Sequence, residues 1–428
     1  MHGSWSNRGS EVVFTRRFLL LAGASSLAGG SAWARARKAH IEPQRHAPVA
    51  APNAGDDEEG GGGPAVSGTP AETPLGPMDT VAQWAFIVDF NTGATLLDKQ
   101  ADAIMPPSSM TKLMTAYIVY GKLKSGALRL DQTLPVSEKA WRMQGSKMFV
   151  PLGGQVLVED LIRGMIIQSG NDACIVLAEG IAGSEEQFVE LMNQKARELG
   201  MTNTVFRNCT GWPDPEHHMS CRDIATLATH IIRDFPEYYH YDSEKDYKYN
   251  GIEQYNRNPL VQRGLADGLK TGHTDAGGYG VVGSAEHSGR RVILVLNGMP
   301  TSKARVEESQ RLMNWAFNSF ENVTLFAAGD TVENAPVWLG DRPSVPLVGG
   351  KDLALTLPRN WRQHARVAVD YQAPIPAPIN KGDVVGKLSV SGQGVPAMEV
   401  PLLAGADVPR LSLPGRAIAV LSHYISGT

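Results

Sequence analysis

Ser109 and Lys112 stand three positions apart in Ser109-Met110-Thr111-Lys112. They open a stretch in which Met110, Leu113, Met114, Tyr117 and Ile118 recur with helical period, ending near Gly126. A helix sets residues at this spacing on one face, so the lysine amine can approach the serine hydroxyl and, when neutral, accept its proton. That pairing makes Ser109 a nucleophile with its own base. The helix start adds the positive end of the backbone dipole, which favours the alkoxide. A serine at a helix start is also a common cap, so the pair needs company before it means catalysis.

Two further motifs supply that company, Ser169-Gly170-Asn171 and Lys270-Thr271-Gly272. The first falls in a sharp break, Gln168 to Asp172, between two helical stretches, where the glycine is expected to let the chain turn and both polar side chains face one cleft. A second hydroxyl beside the lysine can relay a proton to a leaving amine, and an amide can hold a peptide carbonyl. Lys270, Thr271 and Gly272 follow Asp267-Gly268-Leu269 on a predicted edge strand, along which an extended peptide can pair, with Lys270 offering a charge to a substrate carboxylate. The backbone N–H of His273, with that of Ser109, is a candidate oxyanion hole. Each motif alone is weak; their order and structural setting agree.

The elements that must position these residues follow from periodicity. Alternation in Trp84–Asp89, the turn Asn91-Thr92-Gly93 and the run Ala94–Leu97 predict a hairpin. Helices dominate from Val158 to about Ile232, strands return at Leu269, Gly280–Gly283 and Arg291–Leu296 around the turn His287-Ser288-Gly289, and a helix runs from Ser302 to Phe320. Strands at both ends with helices between predict an antiparallel sheet whose first and last elements pair, flanked by a helical cluster. After about Leu325 short strands at short spacing predict a small all-β domain, and Ile418, Leu421, Tyr424 and Ile425 share one face of a terminal helix. That face either docks on a membrane surface or packs on its own domain.

A chain of 428 residues with 42% hydrophobic content holds two folded domains with non-globular ends. Its net charge of −4 offers no field for a phosphate backbone, so nucleic acid is not an expected partner. Thr15-Arg16-Arg17-Phe18-Leu19-Leu20 precedes a short apolar run and Ala32-Trp33-Ala34, which resembles a twin-arginine export signal. The Pro-, Gly- and Ala-rich stretch after it reads as a disordered tether. The expected organisation is an export signal over 1–34, a linker over 35–80, a catalytic domain over 81–326, a β domain over 327–412 and a terminal helix over 413–428. Cys209 and Cys221 either staple the loop between them or remain buried thiols beside Cys174. No zinc-ligand spacing is present, so His217, His218 and Cys221 read as parts of a solvated loop, and no metal or organic cofactor is expected.

These residues resemble low-molecular-mass penicillin-binding proteins of the D-alanyl-D-alanine carboxypeptidase type. The resemblance runs from about Trp84 into the β domain and rests on Gln168-Ser169-Gly170-Asn171-Asp172-Ala173, Asn256-Arg257-Asn258 and Asp267-Gly268-Leu269-Lys270-Thr271-Gly272-His273-Thr274-Asp275. It implies an α/β (α+β) transpeptidase domain like that of β-lactamases, followed by a β-sandwich. By the same likeness Ser109 is acylated, Lys112 is its base, Ser169 and Asn171 form the second motif, Lys270 to His273 the third, and Arg257 lies near the substrate end. The implied substrates are peptidoglycan stem peptides, with β-lactams as covalent inhibitors, in the periplasm and in peripheral contact with the inner membrane. Relatives often carry an arginine where this chain has Asn297-Gly298-Met299-Pro300. Lys303, Arg305, or Thr271 with Arg257 are the residues left to bind a terminal carboxylate. Rival readings are a DD-endopeptidase, a class A β-lactamase, which needs a positioned Glu, and a non-catalytic β-lactam sensor.

Overall fold

A computed structural model describes residues 10–12, 68–363, 365–392 and 395–426. The twin-arginine segment and most of the tether therefore lie outside the described residues. The hairpin is formed by β1 (Trp84–Asp89) and β2 (Thr95–Lys99), with the turn held by Asp89 Oδ1, which accepts the Asn91 and Thr92 N–H groups at 3.0 Å each. Three later strands complete a five-stranded sheet: β3 (Gly268–Thr274), β4 (Gly278–His287) and β5 (Arg290–Met299), in the order β2-β1-β5-β4-β3. All pairs are antiparallel, the sheet's first strand in chain order pairs with its last, and β3 forms one edge.

Both faces of this sheet are covered. Phe86, Leu269, Val282, Ile293 and Val295 face the helical cluster, while Ile87, Val281, Leu294 and Leu296 face the helix Ser302–Ser319. Burial on both sides explains the unbroken apolar run Val292–Leu296. The cluster contains α1 (Lys112–Lys124), α2 (Val158–Ile166), α3 (Asn171–Ala182), α4 (Glu185–Glu198) and α5 (Cys221–Asp234), and the Ser302–Ser319 helix is α6. The single apolar face expected of α1 is not what folds: Leu113, Met114, Thr115, Ala116, Val119 and Tyr120 are all buried, because α1 runs through the centre of the cluster.

The tether expected to reach residue 80 stops short of it. Ala71 is fully buried and exchanges two hydrogen bonds with Met78 (2.7 and 2.9 Å), and Glu72 pairs with Asp98 on β2. Pro and Gly marked a turn at Thr73–Gly76 there, a signal they share with disorder. The second domain is a β-sandwich over a core of Val345, Leu347, Leu355, Leu357, Leu388 and Leu402. Its larger sheet is seven-stranded, with Ser10–Val12 paired to Ala365–Tyr371 at one edge, so that this part of the stretch expected to be only an export signal over 1–34 is placed against the β domain, a pairing that removal of the signal would take away. Phe320–Phe326, placed in the first domain from the sequence, pairs with Leu353–Pro358 of the second. Strand pairing begins as soon as α6 ends, before composition changes. At the junction a buried Arg290–Asp89 ion pair (2.8 Å) is joined by Asn322, which donates to Asp89, and Arg290 also donates to the Ala316 and Phe320 carbonyls.

All three cysteines are buried free thiols, so Cys209 and Cys221 form no staple. Burial pushes the Cys174 thiol up to about 12. The terminal helix spans Leu413–Ser426 and exposes Leu413, Ile418 and Leu421. No helix among the described residues is long and apolar enough to cross a membrane.

Candidate active site

Ser109 sits on a single 3-10 turn, Ser108–Thr111, that feeds α1, rather than on the first turn of the α-helix itself. Its side chain caps nothing. Its Oγ lies 2.8 Å from Lys112 Nζ, so the tighter turn still delivers the pairing that the spacing suggested. Lys112 is fully buried, and its Nζ also donates to Asn171 Oδ1 (2.7 Å) and to the Thr210 carbonyl (2.8 Å). A lysine without exposure is costly unless its nitrogen is solvated by protein oxygens, and these groups supply them.

Asn171 begins α3, and its Nδ2 donates to the Gln144 carbonyl at 2.8 Å, which fixes which way the amide points. The break before it differs from expectation. Ser169, not Gly170, carries the positive φ (66°), and Gly170 is required for space, since a Cβ there would lie 2.9 Å from Asp172 Oδ1 and 3.1 Å from the Met148 nitrogen. Ser169 is buried, with an Oγ that has no hydrogen-bond partner among the described residues.

Asp172, for which the motif suggests no role of its own, builds a wall of the cleft. Its carboxylate accepts the N–H groups of Met148 (2.9 Å), Phe149 (2.9 Å) and Val150 (3.2 Å), folding that loop back beside Asn171. Three backbone donors on one carboxylate are an arrangement that short-range pattern cannot reveal, because the partners lie more than twenty residues away.

Gly272 brings β3 directly onto the Ser108–Thr111 turn: a Cβ there would lie 2.9 Å from Ser108 Cβ and 3.1 Å from the Ser109 nitrogen. Lys270 and Thr271 are buried on the same strand. Behind Lys270 lies Asp242, buried and bonded to the Tyr120 hydroxyl at 3.4 Å; burial pushes its carboxyl up to about 8, against the opposing pull of Lys270. His273 stacks on Tyr279 with centroids 3.9 Å apart, and the buried Arg305 guanidinium lies 5.4 Å over the same tyrosine. Lys303 instead is exposed beside Glu307. Arg257 is half-buried between the strand Ile252–Tyr255 and the turn Pro259–Gln262, with Asn256 and Asn258 anchoring the backbone on either side.

The loop from Asn208 to His217 forms the opposite wall. Asn208 Oδ1 gathers the N–H groups of Thr210 (3.2 Å), Gly211 (2.8 Å) and Trp212 (3.0 Å), and a side chain at Gly211 would run into the Ser108 carbonyl. His217 is not on a solvated loop: it is 5% exposed, with Nε2 at 2.9 Å from Thr111 Oγ1. Cys221 is likewise buried, and the described residues hold no cluster of metal-ligating side chains. A recess of about 410 Å³ beside this loop is bounded by Pro106, Ser108, Trp212, Pro213, Thr274 and Ala276.

Residues 70–301, more than half of the chain, match the family model described as D-alanyl-D-alanine carboxypeptidase, and residues 320–410 match that of the penicillin-binding protein 5 C-terminal domain. The chain belongs to the D-alanyl-D-alanine carboxypeptidase family. Membership makes it a serine hydrolase that acts as a D-Ala-D-Ala carboxypeptidase, with the penicillin-binding-protein fold. It is 37% identical to D-alanyl-D-alanine carboxypeptidase DacC of Escherichia coli over 354 residues, 81% of this chain and 88% of that protein. Penicillin-binding protein 5 of Haemophilus influenzae is 38% identical in its solved structure, with a TM-score of 0.68 over 78% of this chain and 99% of that one. Penicillin-binding protein D2 of Listeria monocytogenes, solved with ampicillin bound, is 29% identical with a TM-score of 0.51, over 56% of this carboxypeptidase and 98% of its own chain.

Proposed function

We propose that Ser109 is the acylated nucleophile of this carboxypeptidase and Lys112 its base. The observation that carries this reading is the set of contacts at Lys112 Nζ. A neutral amine has two N–H bonds and one lone pair. With the N–H bonds directed at Asn171 Oδ1 and the Thr210 carbonyl, the lone pair is presented to the Ser109 hydroxyl 2.8 Å away.

A stem peptide ending in D-Ala-D-Ala pairs antiparallel along the free edge of β3, with its terminal carboxylate toward Lys270 and Thr271 and with Arg257 near that end. The scissile carbonyl then rests at Ser109, its oxygen held by the Ser109 and His273 N–H groups. Ser109 Oγ attacks the carbonyl carbon, its proton passes to Lys112, and the developing charge is met by the two N–H donors. Collapse expels the terminal D-alanine, whose amine takes a proton relayed from Lys112 through Ser169. Water then attacks the acyl-serine, Lys112 removing its proton, and Ser109 is released with the shortened peptide. A β-lactam acylates the same serine, as its likeness to the terminal dipeptide requires. The wider assignments are an export signal over 1–34, a tether, the catalytic domain, the β domain and a terminal helix whose exposed Leu413, Ile418 and Leu421 suit peripheral contact with the outer face of the inner membrane.

The test measures cleavage of the terminal peptide bond, read as D-alanine from a pentapeptide ending in a free D-Ala-D-Ala and as D-alaninamide from the same peptide amidated at its C-terminus. Release from the first alone is expected. Equal cleavage of both would replace carboxypeptidase specificity with that of an endopeptidase.

A further inference from the structure

We propose that His217 is a positioning residue for the reaction: its ring clasps Thr111 and so holds the Asn208–His217 loop, with the Thr210 carbonyl, against the Lys112 amine. The proposal rests on the reading of Lys112 as base.

The loop touches the nucleophile segment at several points. The Thr115 hydroxyl donates to the Cys209 carbonyl (2.7 Å), Lys112 donates to the Thr210 carbonyl (2.8 Å), and His217 Nε2 meets Thr111 Oγ1 (2.9 Å). Between the last two contacts the chain runs through Gly211, whose absent side chain lets its backbone lie on Ser108 and within reach of the Thr111 hydroxyl. Trp212 to Glu216 are exposed, so beyond Gly211 the loop has little core of its own and depends on its returning end. That end is His217.

The ring's protonation follows from its partners. The Arg207 N–H donates to Nδ1 (3.2 Å), which makes Nδ1 an acceptor and places the proton on Nε2, where it is donated to Thr111. A second ring proton would face that N–H. Phe206 packs edge-on at 5.7 Å, and the charged or titratable groups around the ring are Asp214, Arg207 and His218. Burial outweighs the favourable Asp214 and draws the imidazole down to about 4, so the neutral clasp is in place at neutral pH.

Positioning of this kind acts on the chemical step and leaves binding alone, since neither His217 nor Thr111 belongs to the edge along which a peptide pairs. The experiment separates the two with a fluorescent penicillin, reading the acylation rate constant and the dissociation constant of the non-covalent complex for wild type, His217→Leu, His217→Gln and Thr111→Val. His217→Leu is expected to slow acylation roughly 10- to 100-fold with the dissociation constant within about twofold. His217→Gln, which keeps an N–H donor near the Nε2 position, should recover most of the rate. Thr111→Val, which removes the partner and nearly preserves shape, should reproduce the Leu defect if His217→Leu fails to fold. The Leu–Val double variant should be no slower than either single. Wild-type acylation in folded Thr111→Val or His217→Leu would overturn the clasp, as would equal defects in the Leu and Gln variants. Labelling of Ser109→Ala would instead overturn the reading of the site beneath it.

Discussion

Lys112 is approached from two sides that differ in what they are made of. From the α2–α3 break comes a side chain, Asn171 Oδ1 at 2.7 Å; from the Asn208–His217 loop comes a main-chain carbonyl, that of Thr210, at 2.8 Å. The Asn171 side is fixed by side chains, the Asn171 amide donating to the Gln144 carbonyl and the Asp172 carboxylate gathering backbone donors of the facing loop. On the Thr210 side the functional atom belongs to the backbone, so no single side chain there can be deleted to remove it. The loop's shape carries the chemistry, and the shape is held by Asn208, Gly211 and His217. A site assembled this way can lose activity through residues that never meet substrate.

Substitutions can break that contrast in graded steps. The largest effect is expected from Asn171→Ala, which removes an oxygen from Lys112 and lowers the acylation rate constant by about 10²-fold or more, read with a fluorescent penicillin. Gly211→Ala comes next. Its φ of 85° and its approach to Ser108 oblige the loop to move, and a loss on the order of tenfold to a hundredfold is expected in the same assay. Thr210→Ser keeps both carbonyl and hydroxyl and should stay within about twofold of wild type, since the contact it leaves untouched is the one that matters. A large defect in Thr210→Ser beside a mild one in Gly211→Ala would reverse the comparison.

A further effect, independent of the acylation assay, is expected on stability. The unfolded chain protonates its histidines near the ordinary 6.5, whereas folded His217 does so near 4. Between those values the unfolded state binds more protons, so the stability that His217 contributes is present above about 6.5 and is lost as pH falls toward 4. Urea unfolding across this range should show the wild type losing more stability than His217→Gln, with a difference in slope of about 1 kcal/mol per pH unit. Parallel curves would mean that the ring is not buried in the neutral form.

The same contrast explains what could be read from the chain. The meeting of Ser109 with Lys112 was legible because their spacing sets both on one face, whereas the arrival of Asn171 at the same amine and of Gly272 against the Ser108–Thr111 turn are long-range contacts to which the motifs only point. The β1–β2 hairpin, the strands β3 to β5 and the closing helix were legible from their periods. Thr210 was not, since a carbonyl is common to every residue. His217 looked like a member of a polar loop, Pro213-Asp214-Pro215-Glu216-His217-His218, and only the long-range contact with Thr111 shows that one of its two histidines turns inward. The turn expected from Gly170 is made by Ser169 for a related reason: a glycine at a break can be required for space rather than for conformation. Residues 68–80 were read as tether because burial of Ala71 leaves no periodic trace in so short a segment.

The most direct test is mass spectrometry of the intact protein after incubation with benzylpenicillin, for wild type and Ser109→Ala, with the adduct mapped by proteolysis. The expected result is one penicilloyl group on the peptide containing Ser109 in the wild type and none in the variant, with D-alanine release lost alongside. An adduct that persists in Ser109→Ala, or that maps to another serine such as Ser169, would contradict the assignment of the nucleophile on which the roles of Lys112, Asn171 and the Thr210 carbonyl depend.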